Sequence, residues 1–260
     1  MELTVVGSGT AAPEPERVCS AFFITAGGTR VLVDCGPGAV HHLARFTLPW
    51  QRLDHLVISH FHNDHIGDLP MLMFALKWGL EQRRTAPLSV WAPPGIQGLL
   101  AGMAGIFGDH VTDPGFPLHV HEIAPGHDGP LGRGLSLAAT ATPHTDHSLA
   151  LRFQARRAGT IGYTGDTGPS HDVALFLAGV DLLIAECSFP DDLAMDSHLT
   201  PSSLAGMAHT ARPGRLMVSH VYPQLDRHDV AALIAAAGWD GPVVRAKDGM
   251  ALRVPFTEGP

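Results

Sequence analysis

The strongest constraint on how this chain folds is a series of short apolar segments that recurs along its whole length, each closed by Gly, Pro or Asp. Residues 3–6, 21–25, 31–34, 56–59 and 88–91 read as buried strands, and a second series follows at 118–123, 135–140, 149–153, 160–164, 181–185, 216–219 and 243–245. Helical patterns lie between them at 69–84, 95–107, 201–211 and 229–237. Thr200-Pro201 opens one helix well, with Thr at the N-cap and Pro in the first helical position. Strand runs come early in each half and helices follow, so the expected architecture is α/β: two sheets face to face with helices outside, an αββα four-layer sandwich. No linker, charge block or fixed-period repeat interrupts the pattern, and a single domain over 1–260 is expected. A chain of 260 residues buries a sizeable core, and 45% hydrophobic against 16% charged residues excludes a disordered or collagen-like chain.

A net charge of −8 gives the surface as a whole no general attraction for nucleic acid. Cys19, Cys35 and Cys187 show no CxxC spacing and cannot all pair, which suits free thiols in a reducing compartment. The first residues carry neither a basic leader nor an apolar run, and no stretch reaches about 18 apolar residues. A cytoplasmic protein without a membrane span is the expectation.

Histidine is in excess, with 17 residues, as many as Lys and Arg together. Imidazole is the commonest neutral metal ligand, so the excess directs attention to a metal site. The run His60-Phe61-His62-Asn63-Asp64-His65 closes the strand at 56–59. Extended backbone just past that strand turns His60 and His62 to one side, and a bend into the helix near Asp68 swings Asp64 and His65 toward the same point. The resulting N/O donor set suits zinc and other first-row metals. Downstream, His144, Asp166 and His220 each sit where an apolar run hands over to a loop. A lone histidine in such a place is as a rule structural; sites in layered α/β folds nonetheless collect at these junctions.

The pattern His60-x-His62-x-Asp64-His65, then His144, Asp166 and His220, resembles the signature of the metallo-β-lactamase superfamily in its dizinc hydrolase form. Val31-Leu32-Val33-Asp34-Cys35-Gly36 and Gly165-Asp166-Thr167 match as flanks, and the resemblance runs from Gly7 to about Tyr222. Within the superfamily, Gly7-Ser8-Gly9-Thr10-Ala11-Ala12-Pro13, His144-x-x-x-Ser148, Glu186-Cys187-Ser188-Phe189 and His198-Leu199-Thr200 are similar to motifs of the ribonuclease Z branch and its phosphodiesterase relatives. The resemblance implies the metallo-β-lactamase fold and two zinc ions per chain, with manganese(II) or iron(II) as alternatives. One zinc would take His60, His62, His144 and Asp166. The other would take Asp64, His65, Asp166 and His220, with Asp166 bridging. His147 is close by, but the spacing to Ser148 selects His144.

The implied chemistry is hydrolysis by water activated between the metals, with Asp64, His198 and Glu186 as catalytic residues. Two zinc ions, two carboxylates and one hydroxide sum to about +1, which suits an anionic phosphodiester. His198 would supply a proton or positive charge to the leaving oxygen, and Glu186 would orient its ring and favour its charged form. The ribonuclease Z branch generally carries a long arm that grips transfer RNA, often between the third histidine and the bridging acid. Here Asp166 comes 22 positions after His144, an interval filled by two strand runs and Arg156-Arg157. Pro13-Glu14-Pro15-Glu16-Arg17 also lacks the Lys and Asn of that branch's substrate loop. A small or cyclic phosphodiester is therefore placed ahead of transfer RNA processing. A lactonase or other ester hydrolase is the second reading on the same fold, and a non-hydrolytic iron-binding or accessory protein the third. A homodimer is implied by the resembling families. Lys77, Arg83 and Arg84 read as a solvated helix end, Met71, Met73, Phe74, Leu76 and Trp78 as core or dimer surface, and Gly36-Pro37-Gly38 as a strand-to-helix turn.

Overall fold

The computed structural model describes residues 1–156 and 158–255; Arg157 lies outside them. Six strands come first: β1 (Glu2–Gly7), β2 (Ala21–Ala26), β3 (Thr29–Val33), β4 (His55–Val57), β5 (Leu88–Ala92) and β6 (Leu118–Glu122). Seven more build a second sheet: β7 (Asp128–Gly132), β8 (Leu135–Ala141), β9 (Leu149–Ala155), β10 (Thr160–Tyr163), β11 (Leu182–Glu186), β12 (Arg215–Ser219) and β13 (Val243–Arg245). The last strand, β14 (Ala251–Arg253), returns to pair with β1, so the spatial orders are β14-β1-β2-β3-β4-β5-β6 and β13-β12-β11-β10-β9-β8-β7. Strands β3 to β6 run parallel, as do β10 to β13.

The helices are α1 (Ala39–Arg45), α2 (Asn63–Ile66), α3 (Leu69–Trp78), α4 (Ile96–Phe107), α5 (His171–Phe176), α6 (Pro201–Ala211), α7 (Pro223–Asp226) and α8 (Val230–Ala236). Side chains of α1, α3 and α4 cover the outer face of the first sheet, and those of α5, α6 and α8 cover the outer face of the second. The four-layer αββα arrangement follows from side-chain alternation. Phe22 and Ile24 of β2 enter the core between the sheets, while Ala21 and Phe23 face the helices. Leu182 and Ile184 of β11 likewise face inward, and Leu183 and Ala185 outward. Strands buried on both faces are apolar at nearly every position, which is why they read as unbroken runs.

Three expectations are corrected. Helix α3 stops at Trp78, with Gly79 as its cap, rather than continuing to residue 84. Arg84 is buried, and its guanidinium donates to the carbonyls of Gln51, Leu53, Ala86 and Pro87, stapling the turn before β4 to the start of β5. It is not a solvated helix end. Met71, Phe74 and Trp78 are exposed while Met73 and Leu76 are fully buried, so that group divides between surface and core. Strand β7, with the sequence Asp-Gly-Pro-Leu-Gly, has no apolar run to announce it and forms by pairing with β8. Helix α6 begins as expected: the Thr200 side chain accepts from Ser203 N–H and the Ser203 hydroxyl accepts from Thr200 N–H, a capping box of about 1 kcal/mol. Among the described residues, no helix is long and apolar enough to cross a membrane.

Candidate metal centre

Each expected metal ligand follows the carboxyl end of a strand. His60, His62, Asp64 and His65 come after β4, the last two on the short helix α2; His144 follows β8, Asp166 follows β10, and His220 follows β12. Glu186 is the last residue of β11. The carboxyl ends of parallel strands in open sheets form crevices of this kind. Glycine is required where neighbouring segments crowd in. A Cβ on Gly36 would lie 2.1 Å from the Asp64 carbonyl oxygen, and one on Gly168 would lie 1.7 Å from that of Asp196 in the loop leading to His198.

Three sets of ligand atoms converge: His60, His62, His144 and Asp166; Asp64, His65 and His220; and Asp166, His198 and His220, each set within 4.8 Å. The first two sets with Asp166 shared coincide with the two ligand groups the resemblance implies. Asp166 Oδ2 lies 3.9, 3.7 and 3.6 Å from Nε2 of His60, His144 and His220, and its Oδ1 lies 3.3 Å from His65 Nε2. Asp64 Oδ2 is 3.2 Å from His220 Nε2. His147 is exposed, its ring 5.8 Å from Phe61, and it joins none of these sets.

Four imidazoles are anchored through the other nitrogen. His65 Nδ1–H donates to Asp34 Oδ2 at 2.8 Å, and His144 Nδ1–H to the Ser197 carbonyl at 2.9 Å. His60 Nδ1–H reaches Ser59 Oγ at 3.1 Å, whose hydroxyl in turn donates to Asp34 Oδ2. His220 Nδ1–H reaches Ser188 Oγ at 3.1 Å, whose hydroxyl donates to Glu186 Oε2 at 2.6 Å. These tautomers follow from the acceptors available. All four Nε2 atoms are thereby left facing the carboxylates.

The donor set fits a cation. Nε2 of His60 and of His65 and Oδ1 of Asp166 are buried without a hydrogen-bond partner, an arrangement that costs free energy unless something else satisfies them. Burial alone would raise the Asp64 carboxyl, but the hydrogen bond to His220 and the charges of His65 and His220 hold it down at about 2. Burial acts the same way on Asp166, and the surrounding imidazoles overturn it, driving that carboxyl well below the usual range. Burial pushes His60 down and His65 reinforces it. Both acids are thus held toward the ionised form and His60 toward the neutral form that metal ligands require, whereas for His65 burial is outweighed by Asp166 and Asp34, which raise its pKa.

His198 borders this cluster, its ring 4.8 Å from that of His144. Burial opposes charge on it, yet the Glu186 carboxylate, 3.0 Å from Nδ1, raises its pKa, helped by Asp166 and Asp64. Glu186 is itself pinned by Thr167 N–H at 2.7 Å and Leu199 N–H at 3.2 Å.

Asp34, Ser59, Tyr163 and Ser188 carry no assigned role in the sequence reading. Asp34 is fully buried and accepts from Ser59 N–H, Ser59 Oγ, His65 and the Tyr163 hydroxyl at 2.7 to 2.8 Å. A carboxylate ending the apolar run Val31-Leu32-Val33 was the available signal, since a buried charge needs partners. Asp34 and His220 also hold positive φ, 57° and 53°, a strained conformation for side-chain-bearing residues. For His220 the neighbouring backbone fixes it: its N–H donates to the Ser8 carbonyl at 3.2 Å, and Ser8 N–H and Oγ–H donate to Asp248 Oδ1 at 2.8 and 2.7 Å.

The family described as "Beta-lactamase superfamily domain" matches residues 29–221. Ribonuclease Z of Haloferax volcanii is 26% identical over 313 aligned positions that include 99% of this chain and 96% of that protein. Among solved structures, the metallo-beta-lactamase fold protein YhfI from Bacillus subtilis has a TM-score of 0.82 at 23% identity, covering 96% of this chain and 98% of that one. The short form of human tRNase Z has a TM-score of 0.80 at 23% identity, covering 98% and 100%.

Proposed function

Because this chain belongs to the beta-lactamase superfamily, we propose that it is a metal-dependent phosphodiester hydrolase acting on RNA, with two zinc ions as its working metals. The observation that carries the reading is the anchoring of four imidazoles through Nδ1, so that their Nε2 atoms meet two ionised carboxylates around unsatisfied buried atoms. His60, His62, His144 and Asp166 would hold one ion, and Asp64, His65, Asp166 and His220 the other. The metals, when bound, supply an activated water and a positive field for the phosphoryl oxygens.

The remaining steps belong to side chains of the chain. Asp34 fixes the His65 ring and Ser188 the His220 ring, outer contacts of the kind that tune metal affinity about 10- to 100-fold. Glu186 keeps His198 charged, with Nδ1–H directed to the carboxylate, so that Nε2–H is free to donate to the leaving oxygen. Ribonuclease Z relatives that align over 99% of the chain favour RNA, which reverses the order the sequence suggested between transfer RNA and a small diester. One observation supports a small or cyclic phosphodiester as second reading: that alignment spans 313 positions against 260 residues here, so at least 53 face no residue of this chain. The three cysteines are unpaired, in keeping with a cytoplasmic protein.

A homodimer is part of the proposal. Met71, Phe74 and Trp78 lie at i, i+3 and i+7 on α3, and Ile106 and Phe107 end α4; all are between 45% and 79% exposed. The Phe74 ring lies 5.0 Å from that of His110, which follows α4 in the chain. Together these side chains expose roughly 500 Å² of apolar surface, close to the apolar share of the about 800 Å² each partner buries in a standard interface.

The test is to measure bound metal on the purified protein and assay precursor transfer RNA with a 3′ trailer, a 2′,3′-cyclic nucleotide, bis(p-nitrophenyl) phosphate and a lactone side by side. Cleavage of the precursor with about two zinc ions per chain is expected. Cleavage of only the small diesters selects the second reading. Activity on the lactone alone, or iron at one per chain, overturns the phosphodiesterase reading.

A further inference from the structure

Two aromatic rings beside the candidate centre have no place in the apolar packing. Phe189 and Tyr222 stack on each other with centroids 4.8 Å apart and planes within 18°, and both are partly exposed. Among the described residues neither belongs to nor packs against any of the three apolar clusters, whereas Phe61, between His60 and His62, packs against the one outside the first sheet. Backbone hydrogen bonds hold the pair instead. Phe189 N–H donates to the Leu199 carbonyl at 3.4 Å, as does Ser188 N–H at 2.9 Å, and Tyr222 N–H donates to the Ser188 carbonyl at 3.1 Å. The segments bearing Ser188, His198 and His220 therefore also fix the two rings. Phe189 is 5.6 Å from the His198 ring, and Tyr222 is 5.6 Å from that of His220 and 6.4 Å from that of His198.

Partly exposed, mutually stacked rings that contribute to no core are poorly explained by stability. They are well explained by a flat ligand, because every nucleobase offers a π-face and stacking tolerates any sequence. The geometry points to a platform: we propose, resting on the phosphodiester reading above, that Phe189 and Tyr222 stack the nucleobase of the nucleotide adjoining the cleaved phosphate. The platform would make the enzyme select nucleotides over sugar phosphates and alkyl phosphodiesters, whether the nucleotide is free or part of RNA.

The test uses the metal-loaded protein and 2-aminopurine riboside 3′- and 5′-monophosphates, monoesters whose fluorescence is quenched by stacking. Binding to the wild type should quench the probe, and F189L and Y222L should each weaken binding about 10- to 100-fold and remove the quench, while Y222F retains it. In parallel, the preference in kcat/KM for a dinucleotide over its abasic counterpart should fall toward unity in F189L and Y222L. If F189L does not fold, Y222L against Y222F decides alone. Undiminished quenching in the leucine variants, or none in the wild type, overturns the platform even if phosphodiesters are hydrolysed. Quenching lost in the variants without any phosphodiester hydrolysis by the wild type keeps the platform and removes the hydrolase reading instead.

Discussion

Two groups of histidines in this molecule use the same side chain to opposite ends. At the strand ends, His60, His65, His144 and His220 turn Nε2 inward on Asp64 and Asp166. At the far edge of the sandwich, His55, His121 and His127 gather around Trp91 instead. The indole N–H donates to His55 Nδ1 at 3.1 Å, His121 stacks on the indole at 4.1 Å, and His127 lies 5.9 Å away. Among the described residues this second group forms no set of converging ligand atoms. Burial lowers the pKa of His55 and of His121, and neighbouring imidazoles lower that of His121 further. What separates the groups is therefore the interleaved carboxylate and the anchored Nδ1, and the number of imidazoles is no guide.

The largest expected effect sets the two groups directly against each other. Asp166→Ala should leave almost no bound metal by elemental analysis and lower phosphodiester turnover by about three powers of ten or more. His121→Ala should keep the wild-type metal content, and comparable metal loss in both would erase the distinction. Next, His198→Ala should lower turnover about 100- to 10,000-fold at unchanged metal content; if it strips the metal, His198 is a ligand and not an acid. A smaller effect tests the anchoring alone. Asp34→Asn should weaken zinc affinity about 10- to 100-fold in a chelator competition, and an unaltered affinity would mean the His65 ring is held by packing.

The smallest effect concerns the second group and pH. His55 and His121 have folded pKa values below the unfolded value, so the unfolded chain takes up protons first as pH falls. Their contribution to stability is present above about pH 6.5 and is lost progressively below it. Denaturation of the metal-free protein between pH 7.5 and 5 should show a shallower decline in His55→Gln than in the wild type. An identical slope would locate the pH dependence elsewhere.

Much of this was legible in sequence because the physics is local. Doubly buried strands such as β2 and β11 are apolar at nearly every position, and Thr200-Pro201 states its own helix start. Interleaved His and Asp after β4 marked the candidate centre for the same reason. What escaped depends on partners distant in the chain. Strand β7 exists only against β8, Arg84 is defined by four carbonyls on two segments, and Asp34 gains its meaning from Ser59, His65 and Tyr163. The Phe189–Tyr222 stack likewise joins residues from two strand ends that carry no shared spacing.

The link from Asp248 through Ser8 to the backbone of His220 ties the candidate centre to a segment near residue 250. Strand β14 likewise pairs with β1 across almost the whole chain. Contacts of such long sequence separation form late, and during synthesis they must wait for the residues that make them. A nascent chain can thus complete both helical layers and most of each sheet while His220 still lacks its support. Hydrolytic competence would arrive as one of the last events of folding.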